Sequence, residues 1–360
     1  MRSDKVSNPM PSNSETPPVE ALIQLATGYW ASQATGCAAR LGVADQLAQG
    51  PRTAAEIAPA LHCHPDSLHR LMRACASVGL FDQDGEGRFA LTPTGELLRS
   101  DLPISFRGLL AAQTAPGHWL PWGRLDEAVR SGQRQTTRTL GMEIWDFYAK
   151  TPEEGKWFSE GMSALSLMAI SEVLRVHDFS RVRELVDVGG AFGALAAEIL
   201  KAHPQVRGIV LDSASVTPGA REAIAAQGLS SRCEVVAGDF FKGVPAGKDL
   251  YLLKNILHDW SDEECVTILG HCEKALASDG AVVVVEMLVG EPGGPKPTLA
   301  PLMDLNMLVM LPGRERTEAQ FAELFARAGL KLVKVSPTYT PFAVLEARRG
   351  SVGPTKKGMP

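Results

Sequence analysis

Three short segments rich in glycine or acidic residues follow apolar, strand-like runs and could bind a nucleotide-like ligand. The first run ends in Leu185-Val-Asp-Val-Gly-Gly-Ala-Phe-Gly193. Glycines after a strand let the backbone approach a ligand, and the N-terminus of the next helix favours polar groups. Asp212 ends the second run, where a carboxylate can accept both hydroxyls of a ribose. Gly238-Asp239-Phe240 follows the third run and offers a carboxylate and a ring to adenine.

A glycine-rich turn alone also permits a nucleotide-dependent dehydrogenase. Two features argue against that class. The Gly-x-Gly-x-x-Gly fingerprint is absent from this turn, and Asp187 lies inside the strand directly before the glycines.

Alternating strand-like and helix-like runs must position these segments. From residue 182 onward the alternation predicts a parallel sheet with helices on both faces. The expected elements are 184–188, 194–202, 207–211, 217–227, 233–237, 249–253, 262–277 and 281–285. A capping box at Thr317-Glu-Ala-Gln320 then opens a helix, and strands at 332–335 and 343–347 close the sheet.

The N-terminal part predicts a winged helix. A helical pattern runs from residue 19 to about 45, and the capping box Thr53-Ala-Ala-Glu56 opens a short helix. An amphipathic helix after Pro65 and a hairpin around Asp84–Gly87 follow. Such a module either binds DNA, here through Arg70 and Arg73, or serves as a packing or dimerisation unit. The acidic balance of the chain favours the second interpretation.

Composition restricts the class of protein. The 360 residues are 45% hydrophobic and 21% charged, which is ordinary for a globular protein and excludes a disordered chain. A net charge of -5 offers no global basic surface to nucleic acid or lipid. Six cysteines without a Cys-x-x-Cys pair predict reduced thiols in a cytoplasmic protein. The cluster His62-Cys-His64 lacks zinc-site spacing, and we expect no metal.

Aromatic residues concentrate in a predicted helical region before residue 180. They include Trp119, Trp122, Trp145, Tyr148 and Trp157. Residues of this kind at helical spacing form either a core or a pocket for a flat aromatic ligand.

A series of motifs in order along the chain carries a family resemblance. The most specific is Leu252-Leu-Lys-Asn-Ile-Leu-His-Asp-Trp-Ser-Asp262. The others are Val186-Asp-Val-Gly-Gly190, Gly238-Asp-Phe-Phe241, Val285-Glu286, Asp304-Leu-Asn-Met-Leu308 and Pro312-Gly-Arg-Glu-Arg-Thr317. From about residue 20 to 347 the chain resembles the S-adenosylmethionine-dependent O-methyltransferases of the plant caffeate and flavonoid type. Bacterial relatives in that family act on phenazines, anthracyclines, puromycin precursors and carotenoids.

The resemblance implies a fold, a donor and an assembly. The fold is α/β: a Rossmann-like class I methyltransferase domain with a mostly parallel, seven-stranded sheet. S-adenosyl-L-methionine is the implied donor, and the N-terminal winged helix is the implied dimerisation domain of a homodimer. We therefore expect methylation of a phenolic or enolic hydroxyl on a small aromatic secondary metabolite.

The resemblance also implies roles for single residues. His258 is the expected general base, and Glu286 and Glu315 flank it. The donor-binding residues are expected to be Asp187, Gly189, Gly190, Asp212, Gly238, Asp239, Phe240, Lys254 and Ser166. The acceptor side is expected to comprise Met162, Trp145, Phe158, Asp259, Asn306 and Met307. A phenol titrates near pH 10 and a free histidine near 6.5. Either the proton leaves as the methyl group arrives, or nearby carboxylates raise the basicity of His258.

Three residues depart from the family pattern and leave alternatives open. Pro312 replaces a glycine before the Gly-Arg-Glu-Arg block. Ala191 stands where the family usually has glycine, and Phe192 stands where a small residue is common. A methyl group at 191 is expected to crowd the donor or to demand a negative φ. The alternative functions are a donor-binding relative that catalyses another reaction and a winged-helix regulator that senses a metabolite.

These observations predict five segments. They are a disordered tail at 1–18, the winged-helix dimerisation domain at 19–110 and a helical linker with the acceptor-pocket segment at 111–180. The donor-binding domain follows at 181–348, and a flexible tail occupies 349–360. Nucleic acid and membrane are not expected as partners.

Overall fold

The computed structural model describes residues 17–290 and 299–350. The chain divides between Glu96 and Leu97 into two compact units. The predicted tails lie almost wholly outside the described residues, although the first helix already begins at Pro18. The domain boundaries predicted at residues 110 and 180 stay predictions.

The N-terminal unit consists of short helices and one hairpin. Its elements are α1 (Pro18–Leu41), α2 (Val43–Leu47), α3 (Ala54–Ile57), α4 (Pro65–Ser77), β1 (Phe81–Gln83), β2 (Phe89–Leu91) and α5 (Pro93–Glu96). The helix predicted from residue 19 to 45 is divided, because Gly42 adopts a left-handed conformation and ends α1. The Thr53–Glu56 capping box is present, and Asp84 accepts two backbone N–H groups in the hairpin turn.

Helix α1 exposes large apolar side chains within this unit. Val19, Leu22, Leu25 and Trp30 are all exposed. Burying an apolar side chain of this size stabilises a protein by about 1.5–3 kcal/mol, and these four side chains do not gain that energy within the unit. A contiguous exposed apolar face of this kind is typical of a surface that contacts another protein.

The C-terminal unit begins with a set of helices that pack closely. They are α6 (Arg107–Gln113), α7 (Pro116–Trp122), α8 (Leu125–Ser131), α9 (Thr136–Leu140), α10 (Ile144–Lys150) and α11 (Pro152–Val176). A Cβ on Gly161 of α11 would lie 2.8 Å from the Cα of Leu109 in α6. These two helices can therefore approach this closely only with glycine at that position.

A seven-stranded sheet follows in this unit. Its strands are β3 (Glu184–Val188), β4 (Arg207–Asp212), β5 (Cys233–Ala237), β6 (Lys248–Lys254), β7 (Leu276–Met287), β8 (Leu330–Pro337) and β9 (Phe342–Arg349). The order is β5-β4-β3-β6-β7-β9-β8, and only β9 runs antiparallel to its neighbours. The intervening helices are α12 (Ala194–Ala202), α13 (Thr217–Ala226), α14 (Asp262–Ala275), α15 (Ala300–Met310) and α16 (Glu318–Arg327).

Alternate residues of the sheet supply two apolar cores. Leu185 and Val283 belong to one core, while Val186 and Val284 belong to the other. Residues that alternate along a strand point to opposite faces, so helices cover both sides of the sheet. The predicted fold class is confirmed. The boundary between two elements differs: the helix predicted to run to residue 277 ends at Ala275, and the strand predicted at 281–285 already begins at Leu276.

Among the described residues, no helix combines the length and the apolar character that crossing a bilayer requires.

Candidate active site

The carboxyl ends of the parallel strands bring the predicted donor residues to one edge of the sheet. Asp187 lies in β3, Asp212 ends β4 and Lys254 ends β6. Gly238 follows β5, and its N–H donates to the carbonyl of Asp212 at 2.9 Å. Because β3, β4, β5 and β6 are parallel neighbours, these ends share an edge, the usual ligand position in open α/β sheets.

The glycine turn after β3 is tightly enclosed. Gly189 has a φ of 67°, and a Cβ there would collide with the side chain of Ile256 and lie 3.6 Å from the Phe240 ring. A Cβ on Gly190 would lie 2.6 Å from the Asp187 carboxyl carbon. Glycine is therefore required at both positions, and the turn lies directly beside Phe240.

Ala191 adopts the left-handed conformation itself, with a φ of 49°. The expectation that a side chain here demands a negative φ is therefore wrong. The Ala191 N–H donates to Oδ2 of Asp212 at 2.8 Å, and this bond holds the turn in the strained conformation. Phe192 lies against α13, where a Cβ on Gly219 would be 2.8 Å from its ring. Gly219 thus provides the space that the large ring at 192 needs.

The side of the site predicted to bind adenine is partly open. Asp239 accepts the N–H of Phe241 at 3.0 Å and pairs with Lys242. These partners lower the pKa of its carboxyl, the Lys242 hydrogen bond contributing most. Phe240 packs edge-on against Trp260, with ring centroids 6.1 Å apart.

Two charged side chains face the centre of this edge. Asp187 is buried, which raises the pKa of its carboxyl to about 7, and its Oδ2 has no partner among the described residues. Lys254 is partly buried, and its removal from water lowers the pKa of its ammonium group to about 8. Its Nζ lies 5.6 Å from the centre of the Phe342 ring. An unpartnered carboxylate oxygen and a partly buried ammonium group fit a ligand that carries both charges, as the amino-acid part of S-adenosylmethionine does.

His258 lies in a short 3₁₀ turn, Leu257–Asp259, directly after β6. Asn255 precedes the turn with a φ of 52°, a conformation that asparagine adopts more readily than most residues. Ser261 then caps α14 through a capping box with Glu264. The histidine is therefore held between a strand end and a capped helix start, and only 8% of it is exposed.

Three carboxylates surround the His258 ring. Its Nδ1 lies 2.7 Å from Oε1 of Glu315 and 3.7 Å from Oε2 of Glu286, and its Nε2 lies 3.3 Å from Oδ1 of Asp259. Oε1 of Glu286 accepts the N–H groups of Ile256 and Leu257 at 3.0 and 2.9 Å. Glu286 therefore fixes the backbone of the turn as well as facing the imidazole.

The charges of this cluster determine its protonation. Burial disfavours the imidazolium form of His258, but Glu286, Asp259 and Glu315 outweigh it and raise the pKa to about 10. Burial and the neighbouring carboxylates likewise raise the pKa of Glu286 above its ordinary value. Burial raises the pKa of Asp259 to about 6. His258 is therefore a far stronger base than free histidine.

Two positioning contacts come from the segment around Glu315. Arg316 is fully buried, and its guanidinium donates to the carbonyls of Leu257 and Trp260, at 2.8 Å each, and to Asp262. It thus holds both sides of the His258 turn. A Cβ on Gly313 would collide with the backbone of His258 and Asp259, so glycine lets the segment approach.

Helix α15 fixes the other end of this segment. Asp304 accepts the N–H of Glu315 at 2.9 Å. The Glu315 side chain is thereby positioned from α15, while its carboxylate bonds to His258. Neither Asp304 nor Arg316 was assigned a role from the sequence, although both lie in motifs that carry the family resemblance.

Five of the six predicted acceptor residues lie on α10, α11 and α15, and the sixth, Asp259, lies in the turn that holds His258. Trp145 packs edge-on against Phe158 at 5.7 Å, and Met307 is buried in the same apolar cluster. Met162 and Ser166 lie one turn apart on α11, and the Ser166 hydroxyl donates to the Met162 carbonyl at 2.7 Å. Oδ1 of Asn306 accepts the indole N–H of Trp122 at 2.8 Å.

Ligand atoms of His258, Glu286 and Glu315 lie within 4.8 Å of one another, a spacing that a cation could also use. Hydrogen bonds occupy part of this set, while Oε2 of Glu286 and Oε2 of Glu315 have no hydrogen-bond partner among the described residues. Nδ1 of His258 bonds to Glu315, and Oε1 of Glu286 accepts backbone N–H groups. The arrangement has the geometry that a histidine base supported by carboxylates requires.

Comparison with known proteins agrees with this geometry. A family model described as the O-methyltransferase domain matches residues 122–331. A second, described as the O-methyltransferase dimerisation domain, matches residues 23–101. The chain belongs to the O-methyltransferase family. The prediction of an S-adenosylmethionine-dependent O-methyltransferase is therefore confirmed.

Relatives match this O-methyltransferase over nearly its whole length. The phenazine O-methyltransferase of Lysobacter antibioticus is 35% identical, over 91% of this chain and 95% of the relative. The mitomycin biosynthesis 6-O-methyltransferase of Streptomyces lavendulae is 35% identical, over 92% and 94%. A solved O-methyltransferase from neocarzinostatin biosynthesis, in complex with S-adenosylmethionine and 2-hydroxy-5-methyl naphthoic acid, has a TM-score of 0.78 and 35% identity. That match covers 94% of this chain and all of the other.

Proposed function

We propose that this O-methyltransferase methylates a phenolic or enolic hydroxyl of a small aromatic metabolite, with His258 as the general base. The observation that carries the proposal is the buried imidazole of His258. Its Nδ1 is bonded to Glu315 at 2.7 Å, and its Nε2 lies on the other side of the ring, beside Asp259. The ring is thereby oriented so that Nε2 is the nitrogen available to an acceptor hydroxyl.

The donor supplies a methyl group on a positively charged sulfur, so no further activation of the methyl group is needed. Asp212 is proposed to bind its ribose, and Asp239 and Phe240 its adenine, with Gly238 shaping that turn. Gly189 and Gly190 let its amino-acid part approach the backbone, near Asp187, Lys254 and Ser166. Correct placement of the two reactants can contribute about 7–11 kcal/mol to lowering the barrier.

The chain's own residues then manage the proton. The hydroxyl proton passes to Nε2 of His258 as the oxygen–carbon bond forms and the sulfur–carbon bond breaks. A phenol titrates near pH 10, and the pKa of His258 is raised to about 10. Transfer to the neutral imidazole is therefore close to balanced in free energy. Because only neutral His258 can accept the proton, we expect the rate of methyl transfer to rise with pH towards about 10. Glu315 and Glu286 stabilise the imidazolium, and Asp259 holds the Nε2 proton afterwards.

The proposed chemical class of the methyl acceptor is supported by the aromatic side chains on the acceptor side and by the substrates of the relatives. Trp145, Phe158, Met162, Asn306 and Met307 are proposed to line the acceptor side. The relatives named above act in phenazine and mitomycin chemistry, and the solved one holds a hydroxylated naphthoic acid. A flat, hydroxylated aromatic metabolite fits walls of this kind.

A homodimer is proposed for the assembly. The exposed apolar face of α1 carries Leu22, Leu25 and Trp30, and it lies in the segment that the dimerisation model matches. A second copy would remove these side chains from water.

The test is His258→Asn, with His64→Asn as the matched control. His64 is an exposed N-cap, a position where asparagine is also favourable. We expect His258→Asn to lower transfer of a labelled methyl group by about 10²–10⁴-fold, with donor affinity within a few-fold of wild type. Equal loss of donor affinity and of transfer would make His258 a structural residue and contradict the proposal.

A further inference from the structure

A second buried histidine lies among the aromatic residues of the acceptor side. His118 on α7 is only 3% exposed. Its ring is nearly parallel to that of Phe158, with centroids 6.0 Å apart and planes 23° apart. Tyr148 stacks on the same Phe158 ring at 4.8 Å. The Nδ1 of His118 lies 2.9 Å from the Tyr148 hydroxyl. The proposed base chemistry does not use this histidine.

The hydrogen bond to Tyr148 fixes the tautomer of His118. Burial lowers its pKa to about 4, so the ring is neutral and carries one N–H. Apart from this bond, neither the Tyr148 hydroxyl nor Nε2 of His118 has a partner within the described ranges 17–290 and 299–350. If Nδ1 carried the proton, the buried hydroxyl of Tyr148 would have nothing to donate to. The arrangement with fewer unsatisfied groups has Tyr148 donating to Nδ1 and leaves an N–H on Nε2.

Asn306 presents a second fixed donor. An indole nitrogen can only donate, so the 2.8 Å contact with Trp122 identifies the bonded atom of Asn306 as Oδ1. The amide nitrogen then points the other way. One of its N–H groups faces the sulfur of Met303 at 3.8 Å, a weak acceptor. The other has no partner in the part of the chain that the structure describes.

His118 lies on α7, and Asn306 of α15 accepts a hydrogen bond from Trp122 of that same helix α7. His118 and Trp122 are four residues apart on this helix, which places them on the same side. Trp122, Phe158 and Met303 pack against a single apolar cluster that contains Tyr148 and Met307. His118, through Phe158, and Asn306, through Trp122, therefore both lie beside this apolar cluster.

We propose that the acceptor carries a hydrogen-bond-accepting oxygen in addition to the hydroxyl that is methylated. A ring ketone, a quinone oxygen or a carboxyl oxygen would be received by the N–H groups of His118 and Asn306. The inference rests on the proposed function, because it names the substrate class of the same site. A pocket that hydrogen-bonds a polar group discriminates strongly against an analogue without it, since the buried donors are then left unpaired.

The test compares two acceptors that differ in one oxygen, 2-hydroxyfluorenone and 2-hydroxyfluorene. Affinity is measured by calorimetry in the presence of S-adenosylhomocysteine, and transfer of a labelled methyl group is measured separately. For wild type we expect the ketone to bind about 10- to 100-fold more tightly, as two neutral hydrogen bonds allow. His118→Phe keeps a flat ring and removes the donor, so we expect the preference for the ketone to fall about tenfold.

Two further variants keep the test independent of folding. His118→Gln retains an N–H close to the position of Nε2 and is expected to retain most of the preference. Asn306→Met removes the second donor at another site and is expected to lower it. Equal affinity of wild type for the two acceptors, or an unchanged preference in both His118→Phe and Asn306→Met, would overturn the inference. Absence of methyl transfer to either acceptor despite tight binding would instead contradict the proposed function.

Discussion

The two buried histidines of the catalytic unit have nearly equal exposure and opposite protonation. His258 is 8% exposed and His118 is 3% exposed. The pKa of His258 is raised to about 10, and that of His118 is lowered to about 4. Burial disfavours the charged form of both rings. The difference comes from their neighbours, which are three carboxylates around His258 and a tyrosine and a phenylalanine around His118.

The two proposals above assign different work to these two kinds of buried surroundings. In the proposed mechanism, the negative charge concentrated around His258 allows the ring to take a proton from a hydroxyl. The region of His118 remains neutral, which suits the binding of a flat, uncharged ring system. Burial makes each histidine sensitive to its partners, because charges interact more strongly away from water.

Among changes to the charged region, Arg316→Met is expected to cause the largest loss of unfolding free energy. The Arg316 guanidinium is buried and bonds to both carbonyls that flank the His258 turn and to Asp262. Removing one partner of a buried pair costs about 3–5 kcal/mol of unfolding free energy. Denaturant unfolding measures it, and Arg314→Met is the control. Arg314 also pairs with Asp262 but is half exposed, so its loss should cost about 1 kcal/mol or less. Equal losses would contradict the positioning role of Arg316.

Glu315→Gln should bring the pKa of His258 closer to that of His118. It keeps the shape of the side chain and removes one of the three charges, so the pKa of His258 falls. The pH at which methyl transfer levels off should fall with it, and the limiting rate at high pH should decrease because the neutral imidazole is a weaker base. Protonated His258 stabilises the fold fully below its ordinary pKa of 6.5, and this stability is lost as pH rises towards about 10. In Glu315→Gln the loss should occur at lower pH.

Thermal unfolding across pH measures this shift, and Glu323→Gln on the exposed face of α16 is the control. Identical pH profiles for wild type and Glu315→Gln would show that Glu315 does not set the protonation of His258.

The smallest expected change in unfolding free energy concerns Ala191. This strained residue lies outside both histidine regions, so its variant shows what a change elsewhere in the chain does to stability. An L-residue in the left-handed conformation costs roughly 1–2 kcal/mol, and glycine adds about 0.4–1 kcal/mol of unfolded-state entropy. Ala191→Gly should therefore raise the unfolding free energy by up to about 1 kcal/mol. Ala225→Gly, at an exposed helical position, should lower it by about 1 kcal/mol. A loss in both variants would mean that the turn has relaxed around Ala191.

The sequence predicted more of the sheet than of the contacts around the site. Strands β3, β4 and β5 were predicted closely because each apolar run is short and ends in a polar or glycine residue. Motifs also pointed to His258, Glu286 and Glu315, and the structure places these three side chains within contact distance. Their catalytic roles stay predictions until the variants are measured.

Other features depend on tertiary contacts that no local pattern records. His118 is a single histidine in a short helix, and only folding brings Tyr148 to its ring. The sequence motif contains Arg316, yet its bonds to the 257–260 backbone join residues far apart in the chain. The positive φ of Ala191 arises because Asp212 accepts its N–H. Local propensity favours the opposite conformation, and the tertiary hydrogen bond outweighs it.

The most direct test of this account is the protonation of the two histidines in solution. The chain has eight histidines, and nuclear magnetic resonance of isotope-labelled histidine, with His258→Asn and His118→Phe for assignment, can resolve these two. At pH 8 we expect His258 to carry protons on both ring nitrogens, below its pKa of about 10. At pH 6 we expect His118 to be neutral with its single proton on Nε2, above its pKa of about 4. Titration of both rings near pH 6.5 would contradict the account, because burial and neighbours would then leave the two histidines alike.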